Sequence, residues 1–196
     1  MPLRDLILRN RSYRRFYEEE PIESEVLREL VDLARFSASG ANLQPLRFVI
    51  SNTTEQTVAI FPHLGWAGYL SDWPGPVAGE RPSAYITILC DKEASASPGC
   101  DHGIAAQSIL LGAAEKGLGG CMIGSIDRKG LRTTWQLPER YDIVLVIALG
   151  KPKETVVLEA VGSDGSIKYW RDENGVHHVP KRALDDIIVE DRKSVV

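Results

Sequence analysis

The chain has 196 residues and a mass of 21.7 kDa, enough for one domain whose core needs no disulfide or metal staple. Its formal net charge is −4 and its pI about 5.6, so no global basic field draws it to nucleic acid, and any phosphate must be held by local clusters. No run reaches the ~20 apolar residues of a membrane span, and the nearest, 104–118, is broken by Gln107, Ser108, Glu115 and Lys116.

Met1 to Leu8 is too short and too soon interrupted, at Arg9, to serve as a signal peptide. Residues 3–9 predict a short helix, and Glu18 to Pro21 a loop. After Ser24, the apolar residues Val26, Leu27, Leu30, Val31, Leu33 and Ala34 recur at helical spacing. Residues 37–45 are small and polar and read as a loop, and Arg47 to Ser51 as a strand. Eight prolines and glycines between residues 61 and 82 make a long irregular loop, a type that often serves as a lid. Ala84 to Cys90 is a strand. Asp101 is placed as the cap of a helix running to about Lys116, apolar nearly all round and therefore central in the domain. Gly117, Gly119 and Gly120 end it. A strand at Cys121–Ile123, a helix from Asp127 to Trp135 and a strong strand from Tyr141 to Leu149 follow. Beyond Pro152 the pattern weakens, but Ile167–Trp170 and Val176–Val179 flank an Asn174-Gly175 turn and predict a hairpin, with a short helix after Arg182. Strands and helices do not alternate in βαβ units, so an α+β fold is expected, a central helix against a sheet, in one domain over residues 1–196.

Three segments could carry chemistry. Four arginines fall between residues 9 and 15 of an acidic chain, and Ser12 lies among them. A guanidinium fork matches phosphate oxygens, although a solvated turn paired with Glu18 to Glu20 would use the same residues. Ser37 to Pro45 offers Ser39, Asn42 and Gln44, which could read the polar edge of a ring or simply close a turn. The third is Gly117 to Gly124. It lacks the dinucleotide spacing and follows a helix, so its glycines allow close backbone packing or the approach of a flat ligand. Cys90, Cys100 and Cys121 are odd in number and form no CxxC, which suggests buried thiols in a reducing compartment, by default the cytoplasm. With His63 and His102 they show no zinc-type spacing, and His177-His178 reads as part of a surface hairpin.

In chain order, R-S-Y-R-R-F, S-G-A-N-L-Q-P-L-R-F-V, the run from Asp101 to Gly124, A-L-G-K-P and P-K-R-A-L-D-D-I together resemble the nitroreductase family of FMN flavoproteins. The resemblance implies a mainly antiparallel sheet flanked by helices, in an intertwined homodimer with FMN at its interface. By position, Arg11 and Ser12 would lie near the phosphate and ribityl chain, and Arg14 near N1 and O2 of the ring. Ser39, Asn42 and Gln44 would hydrogen-bond flavin and ribityl groups, Ser39 reaching the partner's cofactor. Backbone amides near Ile123 and Gly124 would face N5 and O4, and Lys181 and Arg182 would join the phosphate site. A guanidinium near N1 stabilises the charge of reduced flavin. Flavin N5 then carries the reaction with no catalytic side chain and no metal, moving reducing equivalents from NADH or NADPH to a flat small-molecule acceptor such as a nitroaromatic or quinone.

The chain departs from the family pattern at Asn10, where an arginine is usual, and at Leu46, where a tryptophan is usual, and it is short between residues 51 and 84. Trp66, Tyr69 and Trp73 are the substrate-lid residues in this reading, or else a satellite cluster under a long loop. A flavin-binding or redox-sensing module without turnover is the alternative function. A purely structural dimer leaves both basic clusters unexplained.

Overall fold

A computed structural model describes residues 2–190. Its main sheet is formed by β1 (Leu46–Ser51), β2 (Ala84–Asp91), β3 (Gly119–Ile123) and β4 (Tyr141–Gly150), all antiparallel in the order β1-β2-β4-β3. Every residue of the central strand β2 is buried, Thr87 and Asp91 included, which is why it shows no alternation of apolar and polar residues. Ile86 and Ile88 face a core shared with Leu27 and Leu30 of α2 (Ser24–Arg35) and with Ala106, Ile109 and Ala113 of α4 (Asp101–Glu115). Tyr85 and Leu89 face a second core with Ile60 of α3 (Thr54–Ile60) and Leu131 of α5 (Arg128–Trp135). The helix α4 is therefore covered on several sides, as its composition requires. The pairing of Leu89 with Ile143 and of Ile88 with Leu145 leaves Val144 as a bulge. Arg128 satisfies the freed backbone there, donating to the carbonyls of Ile143 at 2.9 Å and Val144 at 3.2 Å.

A second, smaller sheet lies beyond Gly150. It contains β5 (Val156–Ala160), β6 (Trp170–Arg171) and β7 (His177–Lys181) in the order β5-β7-β6. β6 and β7 form the expected hairpin, with Gly175 left-handed at φ +77° in the turn. β7 also pairs in parallel with β5, a strand that the weak pattern after Pro152 does not announce. Short helices α1 (Leu3–Arg9) and α6 (Leu184–Ile187) stand near the two ends of the described chain.

Several expectations are corrected. Cys100, not Asp101, occupies the cap position of α4. The Asp101 carboxylate instead accepts from Ser39 Oγ at 2.6 Å and the Gly40 amide at 2.9 Å. Of the cysteines, Cys90 and Cys121 are buried but Cys100 is exposed. His177 is no surface residue: it is 1% exposed. The helix α3 lies in a stretch that hydrophobic periodicity does not mark, although Thr53 and Gln56 form a complete capping box at its start.

The segment after α1 positions the site. β3 is an edge strand, and Ser12 pairs with Gly120 along it, while the Tyr13 amide donates to the Gly120 carbonyl at 3.1 Å. A Cβ at Gly120 would overlap the Ala148 carbonyl of β4, so close backbone packing is what this glycine provides.

Candidate functional site

The arginine-rich segment, α4, β3 and the C-terminal hairpin enclose a cavity of about 310 Å³. The first supplies Arg11, Ser12 and Arg14; α4 supplies Gln107 and Leu110; β3 supplies Met122; the hairpin supplies Tyr169, His177 and Lys181. The two basic clusters from opposite ends of the sequence thus share one wall. Three cations line the cavity and no carboxylate does.

Arg11 and Arg14 are held by groups that leave their charge standing. Arg11 Nη2 donates to the Ile7 carbonyl at 2.6 Å, and its Nε is buried with no partner. Burial pulls the Arg11 pKa below the ordinary guanidinium range, a cost that a bound anion offsets. Arg14 Nη1 donates to the Ser12 carbonyl at 3.2 Å and lies 3.4 Å from His177 Nε2, with the guanidinium 5.1 Å from the Tyr169 ring centroid. None of these partners is a carboxylate.

Arg15 has a different task. It is clamped by both oxygens of Glu80 at 2.6 Å, which ties the segment to the end of the 61–82 loop. Glu154 closes the structure from behind. Its side chain is 1% exposed and accepts from the backbone amides of Arg14 and Arg15 and from Arg171 Nη2 at 2.9 Å. This carboxylate joins the N-terminal segment to β6 of the hairpin.

The remaining residues named from the sequence divide by position. Ser39, Asn42 and Gln44 are not on this cavity. Ser39 Oγ is occupied, donating to Asp101 and accepting from the Gln44 amide at 2.9 Å, and Gln44 Nε2 donates to Asn42 Oδ1 at 3.1 Å. Ser39 and Gln44 border a separate cavity of about 290 Å³ with Phe48 and Asp101. Ala41, Asn42 and Gln44 all have left-handed φ, between 48° and 56°, so this loop is strained as well as polar. Ile123 is buried in the second core, and Gly124 follows it with open space where a Cβ would stand. Arg182 lies beside Lys181 on a neighbouring groove.

The aromatic loop is split. The Tyr69 ring packs tilted against Tyr169, with ring centroids 5.0 Å apart, and its amide donates to the Tyr169 hydroxyl at 3.2 Å. Trp73 lies under Arg171, 4.8 Å from ring centroid to guanidinium. Trp66 packs on Phe61 and the second core, away from the cavity. Arg81 covers the Phe61 ring at 4.3 Å. Sequence reasoning missed Gln107, Met122, Glu154, Tyr169 and His177. Strand alternation was the available signal for one wall, because His177, Val179 and Lys181 fall on one face of β7. Among the described residues, no cluster of three or more His, Cys, Asp or Glu could hold a metal ion.

The Nitroreductase family model matches residues 7–73 and 81–151. A Methanothermobacter thermautotrophicus protein, provisionally named NADH dehydrogenase/NAD(P)H nitroreductase, is 29% identical over 161 residues, covering 79% of each chain. The crystal structure of a nitroreductase family protein from Clostridium novyi NT superposes with a TM-score of 0.64 at 18% identity, covering 92% of this chain and 95% of that one. A nitroreductase from Exiguobacterium sibiricum, provisionally so named and solved in complex with FMN, gives a TM-score of 0.67 at 17% identity, with 79% of this chain and 90% of that one covered. An α+β fold with an antiparallel sheet, matched over more than half its length by one family, defines the class as oxidoreductase. The chain belongs to the nitroreductase family.

Proposed function

We propose that this chain binds FMN in the cavity between the arginine segment and the hairpin, and uses NADH or NADPH to reduce a flat acceptor such as a nitroaromatic or a quinone. The observation that carries the reading is the cavity itself: three cations, no lining carboxylate, and a buried guanidinium N–H without a partner. That donor set fits a phosphate ester. The FMN complex of the Exiguobacterium sibiricum neighbour and the name of the Methanothermobacter relative support it.

Arg11, Ser12 and Lys181 hold the phosphate end, with Arg182 adding charge at the rim. Arg14 fixes a positive charge where the ring would carry negative charge once reduced. Leu110, Met122 and Tyr169 give apolar and aromatic surface that excludes water. The amides at Ile123 and Gly124 orient the reactive edge. FMN, when bound, supplies the hydride-transfer chemistry. The protein contributes no nucleophile, and nearby Cys121 has its thiol pushed up to about 12 by burial. Tyr69 and Trp73, packed against the hairpin, border the acceptor, whereas Trp66 supports the loop from the core. Ser39, Asn42 and Gln44 complete the site of a second copy in a homodimer. No described helix is long and apolar enough to cross a membrane, and three free thiols fit action in the cytoplasm.

Titration of flavin-free protein with FMN, followed by anaerobic stopped-flow with NADH and with NADPH, tests the reading. A yellow complex reduced by at least one nicotinamide is expected. Arg11→Ala and Lys181→Ala are each expected to weaken FMN binding by about tenfold or more, the worth of a charge-assisted hydrogen bond. Failure to take up FMN overturns the proposal. Tight binding without reduction by either donor would assign a redox-sensing module instead.

A further inference from the structure

We propose that His177 is a positioning residue, which orients the Arg14 guanidinium toward the ligand of the cavity through Nε2. The proposal rests on the FMN reading above and adds a residue from the hairpin, outside the span that the family model matches.

His177 is fixed in place. Its backbone is held in β7 by pairing with Val156 and with Arg171, and its amide donates to the Thr155 carbonyl at 2.8 Å. Its ring is 1% exposed and packs on Tyr169 at 5.2 Å between centroids, while Tyr169 also receives Arg14 on its ring. Arg14 thus sits between an aromatic ring and an imidazole, neither of which can swing away alone.

The chemistry of the pair sets the direction of the bond. Every N–H of a guanidinium is a donor, so His177 Nε2 must accept, and the ring proton must sit on Nδ1. His177 Nδ1 is buried and has no protein partner. The titratable and charged groups around the ring are Arg14, Arg171 with its partner Glu154, and His178. Burial, with the Arg14 and Arg171 guanidinium groups beside the ring, pulls the His177 pKa down to about 4, which keeps it neutral at pH 7. A carboxylate in this position would orient Arg14 equally well but would cancel the charge that the cavity presents. A neutral acceptor orients the guanidinium and leaves its charge available to an anion.

The test is a double-mutant cycle on FMN affinity, read beside side-chain ¹⁵N NMR of the flavin-free protein. His177→Leu is expected to weaken FMN binding about tenfold. His177→Gln, whose Oε1 can take the place of Nε2, is expected to stay within about threefold of the unmodified chain. In the Arg14→Ala background, His177→Leu is expected to add nothing. An equal loss with and without Arg14, or glutamine no better than leucine, overturns the assignment. The NMR arm does not depend on flavin. It is expected to show the Nδ1–H tautomer at pH 7, with a Nε2 resonance that shifts in Arg14→Ala. A proton on Nε2 overturns the inference even where FMN binds. Absence of FMN uptake beside the expected tautomer overturns the functional reading and leaves the Arg14–His177 contact established.

Discussion

Arg14 and Arg15 are neighbours in sequence and have opposite fates in the fold. Arg15 is neutralised by Glu80, 65 residues away, while Arg14 meets an imidazole 163 residues away and keeps its charge. The sequence shows a cluster of four arginines, but only tertiary contacts divide it into structural and ligand-facing members. His177 was illegible for the same reason. A His-His pair beside Asn-Gly has the composition of a surface turn, and its burial comes from Tyr169 and from a segment at the far end of the chain. A pH dependence follows from that burial. With a pKa near 4 in the fold against 6.5 for an ordinary imidazole, His177 takes up its proton more readily in the unfolded state. Its contribution to stability is full above about pH 6.5 and is lost as the pH falls toward 4, by on the order of 3 kcal/mol. Chemical denaturation at pH 7, 5.5 and 4 checks this. His177→Gln is expected to lose less stability over that window than the unmodified chain, and parallel curves would assign the titration to other groups.

At the scale of elements, periodicity finds what is long or deeply buried. Helices α2 and α4 and strands β2 and β4 carry enough apolar residues for the pattern to be decisive. α3 has seven residues and β5 has five that are at most half-buried, so neither offers a full period of contrast. Capping chemistry marks α3 where hydrophobicity does not. Thr53→Ala removes the side-chain acceptor for the Gln56 amide and is expected to cost about 1 kcal/mol. A fall in thermal stability without loss of FMN binding is the expected observation, since α3 borders the second core rather than the cavity. β5 escapes notice for a further reason. Its parallel partner β7 begins well beyond it, and no local turn announces the pairing.

For the molecule as a whole, the sequence gives a reliable account of the antiparallel layer and its central helix, and the assembly of the site around them requires the structure. The Ser39 loop is a case in point. In one chain it borders its own cavity, apart from Arg14, with Ala41, Asn42 and Gln44 held in left-handed backbone. In the homodimer proposed above, the loop would instead reach the cofactor of a second copy. Leu3, Ile7, Leu8, Leu33, Phe36 and Ile104 are exposed apolar residues on α1, α2 and α4 or at their ends, and they suit such an interface. Sedimentation or light scattering at micromolar concentration is expected to give twice the chain mass of 21.7 kDa. A monomer that binds FMN at full stoichiometry and affinity would refute a shared site.

The cavity draws walls from residues 10–14, α4 and β3, and its last wall from residues 169–181, whereas the main sheet is complete at Gly150. During synthesis, the layer that carries both cores can therefore close before the hairpin has left the ribosome, and the site can only be the last part to form. On the proposed FMN reading, cofactor capture would then be the closing step of maturation. The same order applies in reverse: an opening that detaches the hairpin would release the ligand while the sheet stays intact. Occupancy of the cavity is thus a report on the docking of residues 169–181.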